Sequence, residues 1–174
     1  MGTGKSSVAR TLASHYGLDC LDTDKLVEAR AGKSVRQIFA DNGESEFRDI
    51  ESQVLEECLR SPRGAVIAGA GGVVVSQGNR DVINKARNND GAVVVWLHAR
   101  PEVLAERTAK GGHRPLLDND RLGTLVRLSE ERTPMYSEVA DIIVDVSDRS
   151  QESVCTLLID AIDEAVKYGE GSNG

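Results

Sequence analysis

Apolar residues recur along this chain in two rhythms that alternate from one end to the other. Val8, Leu12 and Tyr16 lie on one face of a helix, and Gly17 follows where a left-handed C-terminal cap belongs, so the spacing predicts a helix over Lys5 to Tyr16. Leu18 to Leu21 is a short apolar run ending in Asp22-Thr23-Asp24, which reads as a strand with acids at its carboxyl end. A helix over Lys25 to Ala31 follows and Gly32 breaks it. Ser34 then caps a short helix carrying Val35, Ile38 and Phe39 that stops near Asn42-Gly43. From Glu44 on, Phe47, Ile50, Val54, Leu55, Cys58 and Leu59 share one helical face. Ala65 to Ala68 and the valine-rich Ala92 to Leu97 read as strands, with a crossover helix between them over Asn79 to Lys85. Pro101 opens a helix to about Thr108, and Lys110 to Pro115 breaks the periodicity and reads as a mobile loop. Leu122 to Tyr136 restores a helix, Asp141 to Val146 is the last strand, and Val154, Leu157, Leu158 and Ile162 mark a final helix.

Compact β-branched runs separated by helices imply strands buried on both faces of a parallel sheet. The predicted fold is therefore α/β, a three-layer α/β/α arrangement around a central parallel sheet, in one domain over residues 1–174 with a frayed tail over 168–174. A length of 174 residues with 40% hydrophobic and 28% charged residues suits one such domain. The net charge of −7 and the lack of a Lys/Arg run argue against a nucleic-acid-binding surface, so an anionic ligand has to be met by a local cluster of arginines. The three cysteines, Cys20, Cys58 and Cys155, are widely spaced and form no C-x-x-C pair, which predicts reduced, buried thiols in a cytoplasmic protein rather than a metal site. There is no secretory leader pattern or membrane-length apolar run, and no exposed apolar stripe that requires a dimer, so a cytoplasmic monomer is expected.

Ligands of open α/β sheets bind at the carboxyl ends of the strands, and the candidate chemistry collects there. Gly4, Lys5 and Ser6 fill the last three places of the phosphate-binding pattern G-x-x-x-x-G-K-[ST], in which backbone N–H groups curl around phosphate, Lys reaches the β/γ-phosphates and the hydroxyl meets Mg²⁺. The first glycine of that pattern and the strand that launches the loop would precede Met1. The reading therefore predicts a start upstream, and poorer stability and nucleotide binding for the chain as given. The alternative is a Gly/Ser terminus that merely resembles the loop. Asp22 and Asp24 follow the next strand, where a carboxylate can hold Mg²⁺ through water or accept a proton from an attacking alcohol; a helix cap is the plainer role for Asp24. Gly71 and Gly72 follow the strand after that, either as a tight turn or as backbone donors.

Taken in order, several motifs together resemble a shikimate kinase of the nucleoside monophosphate kinase-like P-loop group. They are Gly2-Thr3-Gly4-Lys5-Ser6-Ser7, Leu21-Asp22-Thr23-Asp24, Ile38-Phe39-x-x-x-Gly43-Glu44-x-x-Phe47-Arg48-x-x-Glu51, Gly71-Gly72, Arg107, Arg114-Pro115-Leu116-Leu117 and Arg132-x-Pro134-x-Tyr136. The resemblance covers essentially the whole chain. It implies an ATP-dependent enzyme that phosphorylates the 3-hydroxyl of shikimate in aromatic amino-acid biosynthesis. Residues Gly2 to Ser7 would bind ATP, with Lys5 at the transferring group and Ser6 and Asp22 serving Mg²⁺. Asp24 would contact the shikimate hydroxyl as base, and Arg48 and Arg132 would hold the carboxylate, for which a planar fork is suited. Gly71 and Gly72 would donate N–H groups, and Phe39 and Phe47 would line the ring. Arg114 would close with a lid over about 108–120, and Arg107 and Arg149 would lie beside the adenine. Ala70 departs from the glycine common at its position. The alternatives are another small-molecule P-loop kinase, such as a gluconate kinase, and a truncated remnant without activity. Asp24, Arg48 and Arg132 together favour a small cyclic acid with vicinal hydroxyls.

Overall fold

The computed structural model describes residues 2–109 and 120–171, with side chains described to residue 167. Arg114, most of the segment read as a lid and residues 172–174 lie outside the described residues. The elements in chain order are α1 (Lys5–Tyr16), β1 (Asp19–Asp22), α2 (Thr23–Ala31), α3 (Val35–Asp41), α4 (Gly43–Leu59), β2 (Ala65–Ala68), α5 (Gln77–Asn89), β3 (Val95–His98), α6 (Pro101–Ala109), α7 (Arg121–Val139), β4 (Ile142–Asp145) and α8 (Gln151–Gly171). Helices and parallel strands alternate, so the fold is α/β as predicted. The described residues divide into two compact units, one formed by those up to Val8 together with those from Ile83 on, the other by Ala9–Val82.

In the unit Ala9–Val82, β1 and β2 run parallel with Asp19 opposite Ala65 and Asp22 opposite Ala68. Gly17 and Gly32 adopt φ of 66° and 63°, the left-handed turn that a Cβ would strain, and they end α1 and α2 where the pattern placed the stops. Ser34 starts α3 with a full capping box: its hydroxyl accepts from the Gln37 N–H while the Gln37 side chain accepts from the Ser34 N–H. The core of the unit is Val27 of α2, Ile38 of α3, and Phe47, Val54 and Cys58 of α4, with Leu21 and Ile67 of the two strands packed against it. These are the apolar faces that the helical spacing marked. Of the three cysteines, Cys58 and Cys155 are buried as expected, but Cys20 is exposed, because the first half of β1 faces solvent.

In the other unit, β3 and β4 run parallel with Val95 opposite Ile142 and His98 opposite Asp145. β3 begins three residues later than its apolar run. The reason is visible at Val94, whose N–H donates to the Asp141 carboxylate while its carbonyl accepts from the Asp141 and Ile142 N–H groups, so this residue is consumed in joining the ends of the strands. Arg87 of α5 reaches the last carbonyls of α7, at Glu138 and Val139, and thereby serves as its C-terminal cap. α5 is longer than the spacing marked, and α8 continues to Gly171.

The strands are less enclosed than their composition predicts. Every residue of β3 is half-buried, and in β2 only Ala68 is fully buried. Among the described residues the strands form two separate two-stranded ladders, β1 with β2 and β3 with β4, so each strand has a neighbour on one edge only.

Candidate functional site

Within Ala9–Val82 the polar residues singled out by the sequence gather around the carboxyl ends of β1 and β2. α2 starts two residues earlier than predicted, and its N-cap is Asp22, whose carboxylate accepts from the Lys25 N–H at 3.5 Å. Asp24 lies in the first turn, half-buried, and the helix-cap role considered for it falls to Asp22 instead.

Arg48 projects from α4 and is held on three of its nitrogens. Nε and Nη2 donate to Glu44 Oε1 at 3.3 and 3.0 Å, and Nη1 donates to Glu51 Oε2 at 2.7 Å. Glu51 is fully buried while Glu44 is exposed, so one partner anchors the guanidinium from inside and the other meets it from solvent. Burial works against the Arg48 charge, but the hydrogen bonds and charges of Glu51 and then Glu44 outweigh it and hold its pKa above the ordinary value. The guanidinium also lies 5.2 Å from the centre of the Phe47 ring, and Phe47 packs on Phe39 with centroids 4.7 Å apart.

Gly72 closes this arrangement. A Cβ placed there would lie 2.6 Å from Arg48 Nη1, 2.7 Å from Nη2 and 3.0 Å from Cζ. The near-equal distances to the two terminal nitrogens, with Cζ farther, mean that the end of the fork rather than its flat face is turned to Gly72. Only a glycine leaves that edge room. Arg48, Gly72, Phe47 and Phe39 thus form one cluster that offers a permanent cation beside aromatic surface, a setting for a small carboxylate attached to an apolar ring.

The other unit carries the remaining candidates. Gly2 and Gly4 have φ of 76° and 83°, and the carbonyl of Gly4 accepts from the Ser7 and Val8 N–H groups, so left-handed glycines lead straight into α1, whose first residues are Lys5 and Ser6. A Cβ on Gly2 would lie 3.1 Å from the Thr108 methyl, and Thr108 is itself tied down by donating its hydroxyl to the Leu104 carbonyl at 2.6 Å. Thr3, Lys5, Ser6 and Ser7 are half-buried here, and the first turn of α1 points its N–H groups toward the glycines. Arg107 Nη2 donates to the carbonyls of Val146 and Ser147 at 2.9 and 3.0 Å, which fixes it against the chain beyond β4, and Arg149 is exposed. Arg132 lies half-buried on α7, one turn before Tyr136, whose ring stacks on Trp96 at 5.1 Å. Among the described residues no group of three or more His, Cys, Asp or Glu side chains is placed to hold a metal ion, and no helix is long and apolar enough to cross a membrane.

Sequence reasoning missed two kinds of residue. Glu44 and Glu51 stand in the quoted motif without a role, although their spacing of four before and three after Arg48 on one helix was a legible sign that the three side chains meet. Thr23 was the other omission. Its hydroxyl bonds to residues 45 and 47 positions away, and no local spacing announces that.

A Gly-Lys-Ser turn opening a helix in an α/β fold of parallel strands is the mark of the P-loop class of nucleotide-binding proteins. The family model described as shikimate kinase matches residues 1–163. Shikimate kinases of Dehalococcoides mccartyi and Halorhodospira halophila are 35% and 40% identical, the first over 100% of this chain and 93% of its own length, the second over 93% and 89%. Among solved structures, a shikimate kinase from Acinetobacter baumannii in complex with shikimate superposes with a TM-score of 0.86 at 30% identity, covering 94% of this chain and 89% of the other. The shikimate kinase of Aquifex aeolicus gives a TM-score of 0.78 at 29% identity, covering 94% and 92%. The chain belongs to the shikimate kinase family.

Proposed function

We propose that this chain transfers the γ-phosphoryl group of ATP to the 3-hydroxyl of shikimate, giving shikimate 3-phosphate and ADP. The observation that carries the reading is Arg48, held between Glu44 and Glu51 with the end of its fork at Gly72 and its side against Phe47, in a chain of this family. The fork meets the shikimate carboxylate, Arg132 shares that load, Phe39 and Phe47 line the ring, and the N–H groups of Gly71 and Gly72 meet its oxygens. Asp24 takes the proton of the 3-hydroxyl as the oxygen attacks the γ-phosphorus and the bond to the β,γ-bridging oxygen breaks in line, releasing ADP. Gly2, Thr3, Gly4 and Ser7 cradle the phosphates, Lys5 offsets the charge on the transferring group, and Arg107 and Arg149 flank the base. Arg114, outside the described residues, is assigned to the lid that closes over the β/γ-phosphates.

Ser6 and Asp22 are the residues assigned to Mg²⁺. A hydroxyl in the first turn of α1 and a half-buried carboxylate at the end of β1 are hard oxygen donors, and this cation characteristically takes one or two protein ligands and completes its shell with water and phosphate. When bound, the ion neutralises charge on the β- and γ-phosphate oxygens. A cytoplasmic monomer acting on a small molecule, with no role in nucleic-acid or membrane binding, belongs to the same reading. The three free cysteines and the acidic net charge support it.

The test is ADP release by the purified chain with ATP and Mg²⁺ in the presence of shikimate, gluconate or a nucleoside monophosphate. Shikimate-dependent turnover with the other acceptors poor is the expected result. Equal turnover on gluconate would sink the assignment.

A further inference from the structure

We infer that the Thr23 hydroxyl is a positioning group for the acceptor site, a clamp that sets the Gly69-Ala70-Gly71-Gly72 turn against both Asp24 and Arg48. Thr23 has no exposure to solvent and stands between the two acids. Its Oγ1 accepts from the Ala70 N–H at 2.9 Å and donates to the Ala68 carbonyl at 3.4 Å. One hydroxyl thus bonds the chain on both sides of Gly69.

The reason a side chain has to do this lies in the ladder. Asp22 pairs with Ala68 at the last rung, and at Thr23 the chain turns into α2, so no backbone group of β1 continues to meet β2. Ala68 and Ala70 are both buried, and an unmet N–H or C=O in such a place is costly. The Thr23 hydroxyl acts as the missing rung. Beyond it the turn is held by the Val73 N–H on the Ala70 carbonyl and the Val75 N–H on the Gly72 carbonyl, and Asn79 Nδ2 reaches the Val73 carbonyl at 2.9 Å. The far side of the turn is therefore tied to α5, and the near side to Thr23. Gly72, where an added Cβ would already overlap Arg48, sits between the two ties. A small drift of the turn changes the room at the end of the Arg48 fork and the position of the Gly71 and Gly72 N–H groups relative to Asp24, the residue next to the clamp.

This inference rests on the acceptor assignment made above, and its test separates the two. Shikimate affinity is measured by calorimetry for wild type, Thr23→Val and Thr23→Ser, alongside amide hydrogen exchange over residues 65–75 and thermal melting. Valine keeps the shape and deletes the hydroxyl, and serine keeps the hydroxyl. Thr23→Val is expected to bind shikimate about tenfold more weakly, the scale of one hydrogen bond, with faster exchange at Ala70 to Gly72. Thr23→Ser is expected within about threefold of wild type, since only a methyl is lost and the bonds remain. Unchanged affinity and exchange in Thr23→Val overturn the clamp, as does a Thr23→Ser variant as impaired as the valine form, because then keeping the hydroxyl does not preserve the site. Should Thr23→Val fail to fold, the wild-type arm decides: an Ala70 N–H exchanging as fast as an open loop amide overturns the inference, and protection together with serine rescue supports it. Wild type that ignores shikimate overturns the acceptor assignment instead, whatever the exchange data show.

Discussion

Arg48 owes its position to partners of unequal character. Glu51 is buried and Glu44 exposed, so the first fixes the guanidinium and the second adds charge in a solvent-screened setting where an ion pair is worth little. The fork matters more than the charge. A lysine at this position keeps the charge on a single nitrogen and cannot serve Glu44, Glu51 and an incoming carboxylate at once. Arg48→Lys is accordingly expected to weaken shikimate binding by about 1–3 kcal/mol, the worth of a hydrogen bond to a charged group, measured by titration calorimetry. Unchanged affinity would remove Arg48 from the acceptor site.

Among the elements, the end of β4 shows how a short stretch stores a dependence on pH. The Asp145 carboxylate is held below its ordinary pKa, first by the Ser147 hydroxyl, then by the Ser147 N–H at 2.8 Å, with smaller help from the charges of His98 and Arg100, while slight burial opposes. A carboxylate whose pKa is depressed on folding contributes stability that is fully present above its unfolded pKa and is lost as pH falls through the folded one. Ser147→Ala removes the largest of these contributions. The variant is expected to be less stable than wild type at neutral pH and to close part of that gap as the pH drops through the carboxylate range. The lost acceptor for the Arg100 N–H leaves a constant offset. Chemical denaturation at a series of pH values reads this directly; a gap of constant size from neutral to acid would show that the hydroxyl does not act through Asp145.

For the molecule as a whole, recognition cannot come from overall charge. With a net charge of −7, this chain has to meet ATP and an anionic acceptor through local groups such as single arginines and backbone N–H groups, not through a general positive surface. The proton of the acceptor needs a carboxylate to take it, and in the proposed reaction that carboxylate is Asp24. Asp22 caps α2, which makes Asp24 replaceable without loss of that cap. Asp24→Asn is therefore expected to melt close to wild type and to lose about 10²- to 10⁴-fold in turnover, the contribution of a general base, in a coupled ADP assay. Wild-type turnover in this variant would reduce Asp24 to a structural residue.

Helix ends and core faces were legible in the chain because they depend on neighbours within one or two turns. Gly17, Gly32 and the Ser34–Gln37 box stop and start helices where the pattern put them, and Phe47, Val54, Leu55 and Cys58 are buried on the face that their spacing marked. The alternation of helices and β-branched runs likewise announced an α/β fold, and the ordered motifs announced the family. What the chain alone left open was decided by contacts between distant segments. Which acid caps α2 depended on where β1 stopped pairing. The meeting of Arg48 with Gly72, the hold of Arg107 on the carbonyls of Val146 and Ser147, and the Thr23 clamp join residues 24 to 47 positions apart. Such contacts follow from the parallel ladders, which return the chain to the same strand ends after each helix, and no periodicity along the sequence encodes the distance that a return will close.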